Sequence, residues 1–137
     1  MVNVFVKTED GRICCERMAD ILRRGFALFN EQNSLSANIN SNGLSLSYWT
    51  AEKQLILEQT EFDIQIRDKV GDVLSLQIEE EYWRQGKGRQ LYGCIERFFI
   101  ERGCAMAVTS PSGMGYDFWP AIGFRPREGN MWEKDLR

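Results

Sequence analysis

The chain has 137 residues and a net charge of -3 from 17 basic and 20 acidic side chains, a length that suits one domain burying its own core. That balance argues against a broad nucleic-acid footprint. Histidine is absent, which excludes imidazole-ligated zinc and any Ser-His or Cys-His catalytic pair.

Val2 to Val6 alternates and predicts a first strand, closed by a turn at Thr8-Glu9-Asp10-Gly11. From about Ile13 to Asn33 the period becomes helical, with Met18, Ile21, Leu22, Gly25, Phe26 and Phe29 on one side. Gly25 weighs against one straight helix. The composition of residues 30–42, rich in Asn and Ser, predicts a polar connection, and a mobile loop rimming a site fits equally well. Leu44 to Trp49 begins a strand region that Lys53 to Glu58 continues across a turn. Phe62, Ile64 and Ile66 then alternate with polar residues.

After a turn over Lys69 to Asp72, Leu74, Leu76 and Ile78 fall on one side of a strand and Ser75, Gln77 and Glu79 on the other. Beyond Gly88, the spacing of Leu91, Cys94, Ile95, Phe98 and Phe99 predicts an amphipathic helix ended by Gly103. Cys104 to Thr109 reads as a buried strand. Asp117 suits the cap of a short helix with Pro120 in its first turn, a longer helix from near Gly113 would have to kink at Pro120, and Asn130 to Leu136 reads as a last strand. The whole is one α/β domain over 1–137, with a mixed, mainly antiparallel central sheet flanked by helices.

Cys14, Cys15, Cys94 and Cys104 form no CxxC spacing. Cys94 and Cys104 sit in apolar segments and read as buried thiols. No basic segment precedes an apolar one at the start and no run of 18 apolar residues occurs, so a reduced, cytoplasmic protein without membrane contact is expected. Trp132 and Tyr48 would mark a homodimer surface if exposed, but internal strand positions suit them better.

The chemistry concentrates between strand and helix, at Arg84-Gln85-Gly86-Lys87-Gly88-Arg89. Unpaired amides at the start of a helix, its dipole and three cationic side chains favour an anion such as a phosphate. The spacing is neither GxGxxG nor GxxxxGK[ST], which removes support for a dinucleotide fold or an NTPase P-loop. The same glycines would also serve a tight turn with no ligand.

The segment LQIEEEYWRQGKGRQLYGCIERFFIERG resembles the acyl-coenzyme-A motif of the GCN5-related N-acetyltransferase (GNAT) superfamily, R/Q-x-x-G-x-G/A at the start of its long helix. Trp83, Arg84, Gln85, Gly86, Lys87 and Gly88 occupy the six positions, with Trp83 in place of Arg or Gln. The later FWPAIGF, Phe118 to Phe124, is similar to the family's F-Y-x-x-x-G-F, and Met131 to Leu136 resembles its last strand.

The resemblance implies an acyl-CoA N-acyltransferase-like fold and acetyl-CoA-dependent transfer to a small-molecule amine or an exposed protein amine, with no nucleic acid as partner. The backbone of Gln77 and Ile78 would hold the pantetheine arm, and Arg84, Gln85, Gly86, Lys87, Gly88 and Arg89 the pyrophosphate. Glu79, ahead of Glu80 and Glu81, is the candidate general base. Trp119 stands where the family places a proton-donating tyrosine, and an indole is far too weak an acid for that task. Trp119 is therefore assigned to packing against the cofactor or the core. Tyr116 becomes the candidate proton donor, with Asp117 or Ser112 able to organise a water. The amine groove would be bordered by about Gly25 to Asn42 and Arg125 to Met131. The alternatives are a non-catalytic acyl-CoA sensor with the same fold and a protein-interaction module that keeps the fold without cofactor.

Overall fold

The computed structural model describes residues 1–50, 59–111 and 117–137. In chain order these form β1 (Asn3–Val6), α1 (Glu9–Gly25), β2 (Ser34–Asn40), β3 (Gly43–Trp49), β4 (Glu61–Arg67), β5 (Val70–Gln77), α2 (Lys87–Glu101), β6 (Met106–Thr109), α3 (Phe118–Ala121), β7 (Arg125–Pro126) and β8 (Trp132–Asp135). The strands join in one sheet, ordered β1-β2-β3-β4-β5-β6-β8-β7. β1 pairs with β2, and β5 with β6, in parallel; the other pairings are antiparallel. This is the mixed, mainly antiparallel architecture that the sequence implies.

The helix α1 starts earlier than its apolar period suggests. Thr8 is extended and its hydroxyl accepts from the Gly11 amide at 3.0 Å, with Glu9 and Asp10 in the first turn. What reads as a turn at 8–11 is thus an N-cap, worth about 1 kcal/mol. The helix ends at Gly25 rather than near Asn33, because Phe26 leaves helical backbone while its amide still bonds the Leu22 carbonyl at 2.9 Å. Phe26 and Phe29 kept the helical spacing because both reach the core from a loop, where each ring packs on Tyr48.

Residues 34–40 are a strand, not a polar connection. Leu35 and Ala37 are buried on one face, while Ser36 and Asn38 on the other gave the segment its loop-like composition.

The turn before β5 is confined to Asp68 and Lys69, both with positive φ (50° and 64°), so Val70, Gly71 and Asp72 belong to the strand. Ile64 faces Val73, yet Asp63 faces Ser75, which leaves Leu74 as the extra residue of a bulge. Val73 and Leu76 consequently share the core face, and Leu74 turns outward with 57% of its surface exposed. The predicted alternation of Leu74 with Leu76 and Ile78 fails at that residue. Lys53 to Glu58 lies outside the described residues.

Both long helices cover the same sheet face. A Cβ on Gly71 would lie 2.5 Å from the Phe99 ring, and one on Gly25 2.9 Å from Cys94 Sγ. Leu91, Ile95, Phe98 and Phe99 of α2 join Met18 and Leu22 of α1 over Leu46, Phe62, Ile64 and Val73. All four cysteines are buried free thiols, and burial pushes Cys15 up to about 12 and Cys94 up to about 11. Tyr48 is fully buried, which removes it from any dimer surface. Among the described residues no helix is long and apolar enough to cross a membrane.

Gly71→Ala is expected to cost about 1–3 kcal/mol through overpacking against a ring that cannot retreat. Gly93→Ala, on the open side of α2 where a Cβ meets nothing within 4 Å, should gain about 0.5–1 kcal/mol. Urea denaturation of the two variants measures both.

Candidate functional site

The end of β5 and the start of α2 are joined by nine residues with an unusual backbone. After Ile78 and Glu79 the chain makes a 3-10 turn at Glu80–Tyr82, then takes positive φ at Arg84 (64°) and Gly86 (78°) before α2 begins. The conformation of Arg84 is uncommon for a residue with a Cβ. Gly86 is the N-cap, and its carbonyl accepts from the Gln90 amide at 3.1 Å. The amides of Lys87, Gly88 and Arg89 point along the helix axis with no intrahelical acceptor, as in any first turn.

The two glycines have different roles. A Cβ on Gly86 would meet nothing within 4 Å, so the residue supplies left-handed backbone at the edge of open space. At Gly88 the Cβ would lie 3.2 Å from Phe118 Cε1 and 3.8 Å from Ile78 Cγ1. Gly88 therefore lets α2 start in close contact with the end of β5 and with α3. Arg89 reinforces that seam by donating to the Ala121 carbonyl at 3.5 Å.

Trp83, the departure from the family motif, ties the loop to the strand. Its indole Nε1 donates to the Ile78 carbonyl at 2.9 Å. Gln77 is the last residue of β5, with its side-chain amide donating to the Gln59 carbonyl at 3.2 Å. Glu79 follows immediately, half-buried, and its backbone N–H donates to Thr60 Oγ1 at 3.2 Å. Burial and then the nearby Glu79 carboxylate push the Tyr48 phenol up, and that hydroxyl donates to Asn33 Oδ1 at 2.7 Å. Glu80 and Glu81 are exposed on the 3-10 turn.

The sequence reading missed the polar residues behind Glu79. Asn33 and Thr60 are 2% and 1% exposed. Asn33 Oδ1 also accepts from the Asn30 amide at 3.0 Å, which fixes the loop between α1 and β2 against Tyr48. Nothing in the spacing marks them, because an Asn among Asn and Ser reads as a turn former.

Trp119 sits opposite the start of α2, 6% exposed. Its ring meets Tyr92, Phe118 and Phe124 edge-on at centroid distances of 5.8, 5.1 and 5.0 Å. The indole is a core element of α3, and its N–H is far too weak an acid to give up a proton. Tyr116 and Ser112 lie outside the described residues, and Asp117 makes no capping bond with its side chain. The structure thus brings Gln77, Ile78, Glu79 and Arg84 to Arg89 together at one end of α2, with Trp119 beyond Gly88 and Phe118.

No protein-family model matches the chain, and neither does any curated protein sequence. Solved structures do. The PaiA N-acetyltransferase from Thermoplasma acidophilum, in complex with coenzyme A, superimposes with a TM-score of 0.54 at 19% identity, over 66% of this chain and 59% of that one. The E. coli putative N-acetyl transferase YhhK, bound to coenzyme A, gives 0.52 at 20% identity over 85% and 88%. Tetrahymena GCN5 gives 0.52 at 10% identity over 95% and 91%. The chain has the GNAT fold. In this GNAT-fold chain the bulged β5, the Gly86 turn and α2 lie in the order that the motif resemblance implies.

Truncating Trp119 to Ala is expected to cost about 3–5 kcal/mol, as for other large buried aromatics. Trp83→Phe, which removes one hydrogen bond and keeps the ring, should cost about 0.5–1.5 kcal/mol. Chemical denaturation would give the two values side by side.

Proposed function

We propose that this chain binds acetyl-CoA at the junction of β5 and α2 and transfers the acetyl group to an amine, either a small molecule or an exposed protein amine. The observation that carries the reading is Gly86. Its left-handed backbone, bare of side chain, opens onto free space beside the first-turn amides of α2. That open space beside unpaired helix amides leaves room for a pyrophosphate. The coenzyme A recorded in the PaiA and YhhK structures supports the same reading.

In this reading the amides of Arg84 to Arg89 hold the pyrophosphate, with the side chains of Arg84, Lys87 and Arg89 adding charge. The backbone of Gln77 and Ile78 holds the pantetheine arm, and Trp83 steadies that strand end through the Ile78 carbonyl. When bound, acetyl-CoA supplies an acyl thioester open to attack by a neutral amine. Glu79 takes the proton from the incoming ammonium, directly or through a water. Tyr116 is the candidate donor of the proton that converts the departing thiolate to the free thiol. Trp119 contributes shape to the wall of the site through Phe118.

One observation favours the sensor reading as runner-up. Trp119 is locked in an aromatic cluster where the motif has its usual acid. A protein with an intact cradle and no donor would bind acetyl-CoA and release it unchanged.

Calorimetry with acetyl-CoA, followed by a thiol-release assay over a panel of amines, separates these readings. Saturable binding is expected in the parent and not in Gly86→Glu, which places a strained carboxylate in the cradle, provided that the variant still unfolds cooperatively. Amine-dependent thiol release should fall about 10²-fold or more in Glu79→Gln and should also fall in Tyr116→Phe. Binding with no thiol release from any amine would replace the transferase by the sensor. Absence of binding by the folded parent would overturn both.

A further inference from the structure

Cationic side chains without a carboxylate partner gather at both ends of α2. Among the described residues, eight cations take part in ion pairs. Those left out are Lys7 and Arg97, the trio Arg84, Lys87 and Arg89 at the start of α2, and Arg67, Lys69 and Arg102 near its other end. Two of the second trio, Arg67 and Arg102, border a cavity of about 400 Å³ between the β2–β3 turn and the β4–β5 turn. That volume lies within the range of small-molecule sites, about 300–1,000 Å³.

The cavity has two kinds of wall. Ile39, Leu44 and Ile66 line it with hydrocarbon, while Arg67 and Arg102 border it against one acid, Asp68. Arg67 is held in place, since its Nε donates to the Asn42 carbonyl at 3.1 Å. Its two terminal nitrogens are left as donors for a planar acceptor. The Asn42 amide in turn donates to Asn40 Oδ1 at 2.8 Å. Gly43, at φ 130°, presses against the Ile66 carbonyl, where a Cβ would come within 2.1 Å. The pocket wall is therefore built from a pinned hairpin.

We propose that this pocket binds a small organic anion, a carboxylate carried on an apolar body, which the two arginines hold by its head while Ile39, Leu44 and Ile66 cover its tail. It lies about 22 Å from the Gly86 cradle, the length of a 15-residue helix, and is independent of the acetyl-CoA reading. The excess of one positive charge among its lining residues selects anions over amines.

Titration of the full chain with sodium benzoate, followed by amide chemical shifts, tests the assignment. Saturable shifts are expected in residues 39–44, 66–68 and 102, with at least tenfold weaker binding in the Arg67→Gln, Arg102→Gln double variant. Arg102→Gln alone provides the second variant, because among the described residues Arg102 has no side-chain hydrogen bond or ion pair to lose. Benzyl alcohol, which lacks the charge, and inorganic phosphate, which lacks the ring, should each bind at least tenfold more weakly. Shifts that do not saturate, that survive both variants, or that either comparison compound reproduces at equal concentration would overturn the proposal.

Discussion

The close seating of α2 on the sheet is the constraint on which the rest of the structure depends. Phe99 rests directly over Gly71, and Cys94 over Gly25 of α1, so neither contact leaves room for a Cβ. Interiors packed at this density transmit position with little give. The seat fixes where α2 begins, and hence where Gly86 and the first-turn amides stand relative to the end of β5. The bulge at Leu74 acts in the same direction. By inserting one residue, it returns Leu76 and Ile78 to the core face and delivers Gln77 and Glu79 to the strand end beside the loop. Gly88 completes the seam, since only a bare backbone permits the approach of Phe118.

The chemistry available at that seam is uneven. The half proposed to bind the anion is assembled from backbone, which a change of side chain at Trp83 leaves intact, and Trp83 adds a bond to the Ile78 carbonyl. Its proton-transfer half depends on side chains. Glu79 is half-buried beside a fully buried tyrosine whose phenol it helps to push up, while the usual acid position holds an indole packed among three aromatic rings. Tyr92, one of those rings, is itself held far from ionising, first by burial and then by Glu96. Binding is thus supported by more of the structure than transfer is, which is why the sensor stands directly behind the transferase.

The sequence made some of this legible and hid the rest for physical reasons. The α2 helix and its capping glycines were readable because a 3.6-residue period runs unbroken from Leu91 to Phe99 and Gly86 and Gly103 bracket it. Strand β2 was not, because its outward face is Ser and Asn, and composition outweighed the short alternation of Leu35, Ala37 and Ile39. Leu74 misled because a bulge breaks the period of two without leaving a Gly or Pro to mark it. Thr8 reads as a turn residue in sequence although its hydroxyl begins a helix, two roles that draw on the same hydrogen bond. At the site, Arg84 to Arg89 could be located by motif, whereas Asn33 and Thr60 come together with Glu79 only through pairing across the sheet.

Everything proposed for the site depends on the backbone between Arg84 and Arg89 acting as an anion cradle. The most direct test follows amide shifts while coenzyme A is added to the isotopically labelled protein. The account predicts saturable shifts that are largest at Lys87, Gly88 and Arg89 and extend to Gln77 and Ile78. Saturable shifts centred elsewhere, or none at these amides while the protein remains folded, would contradict it.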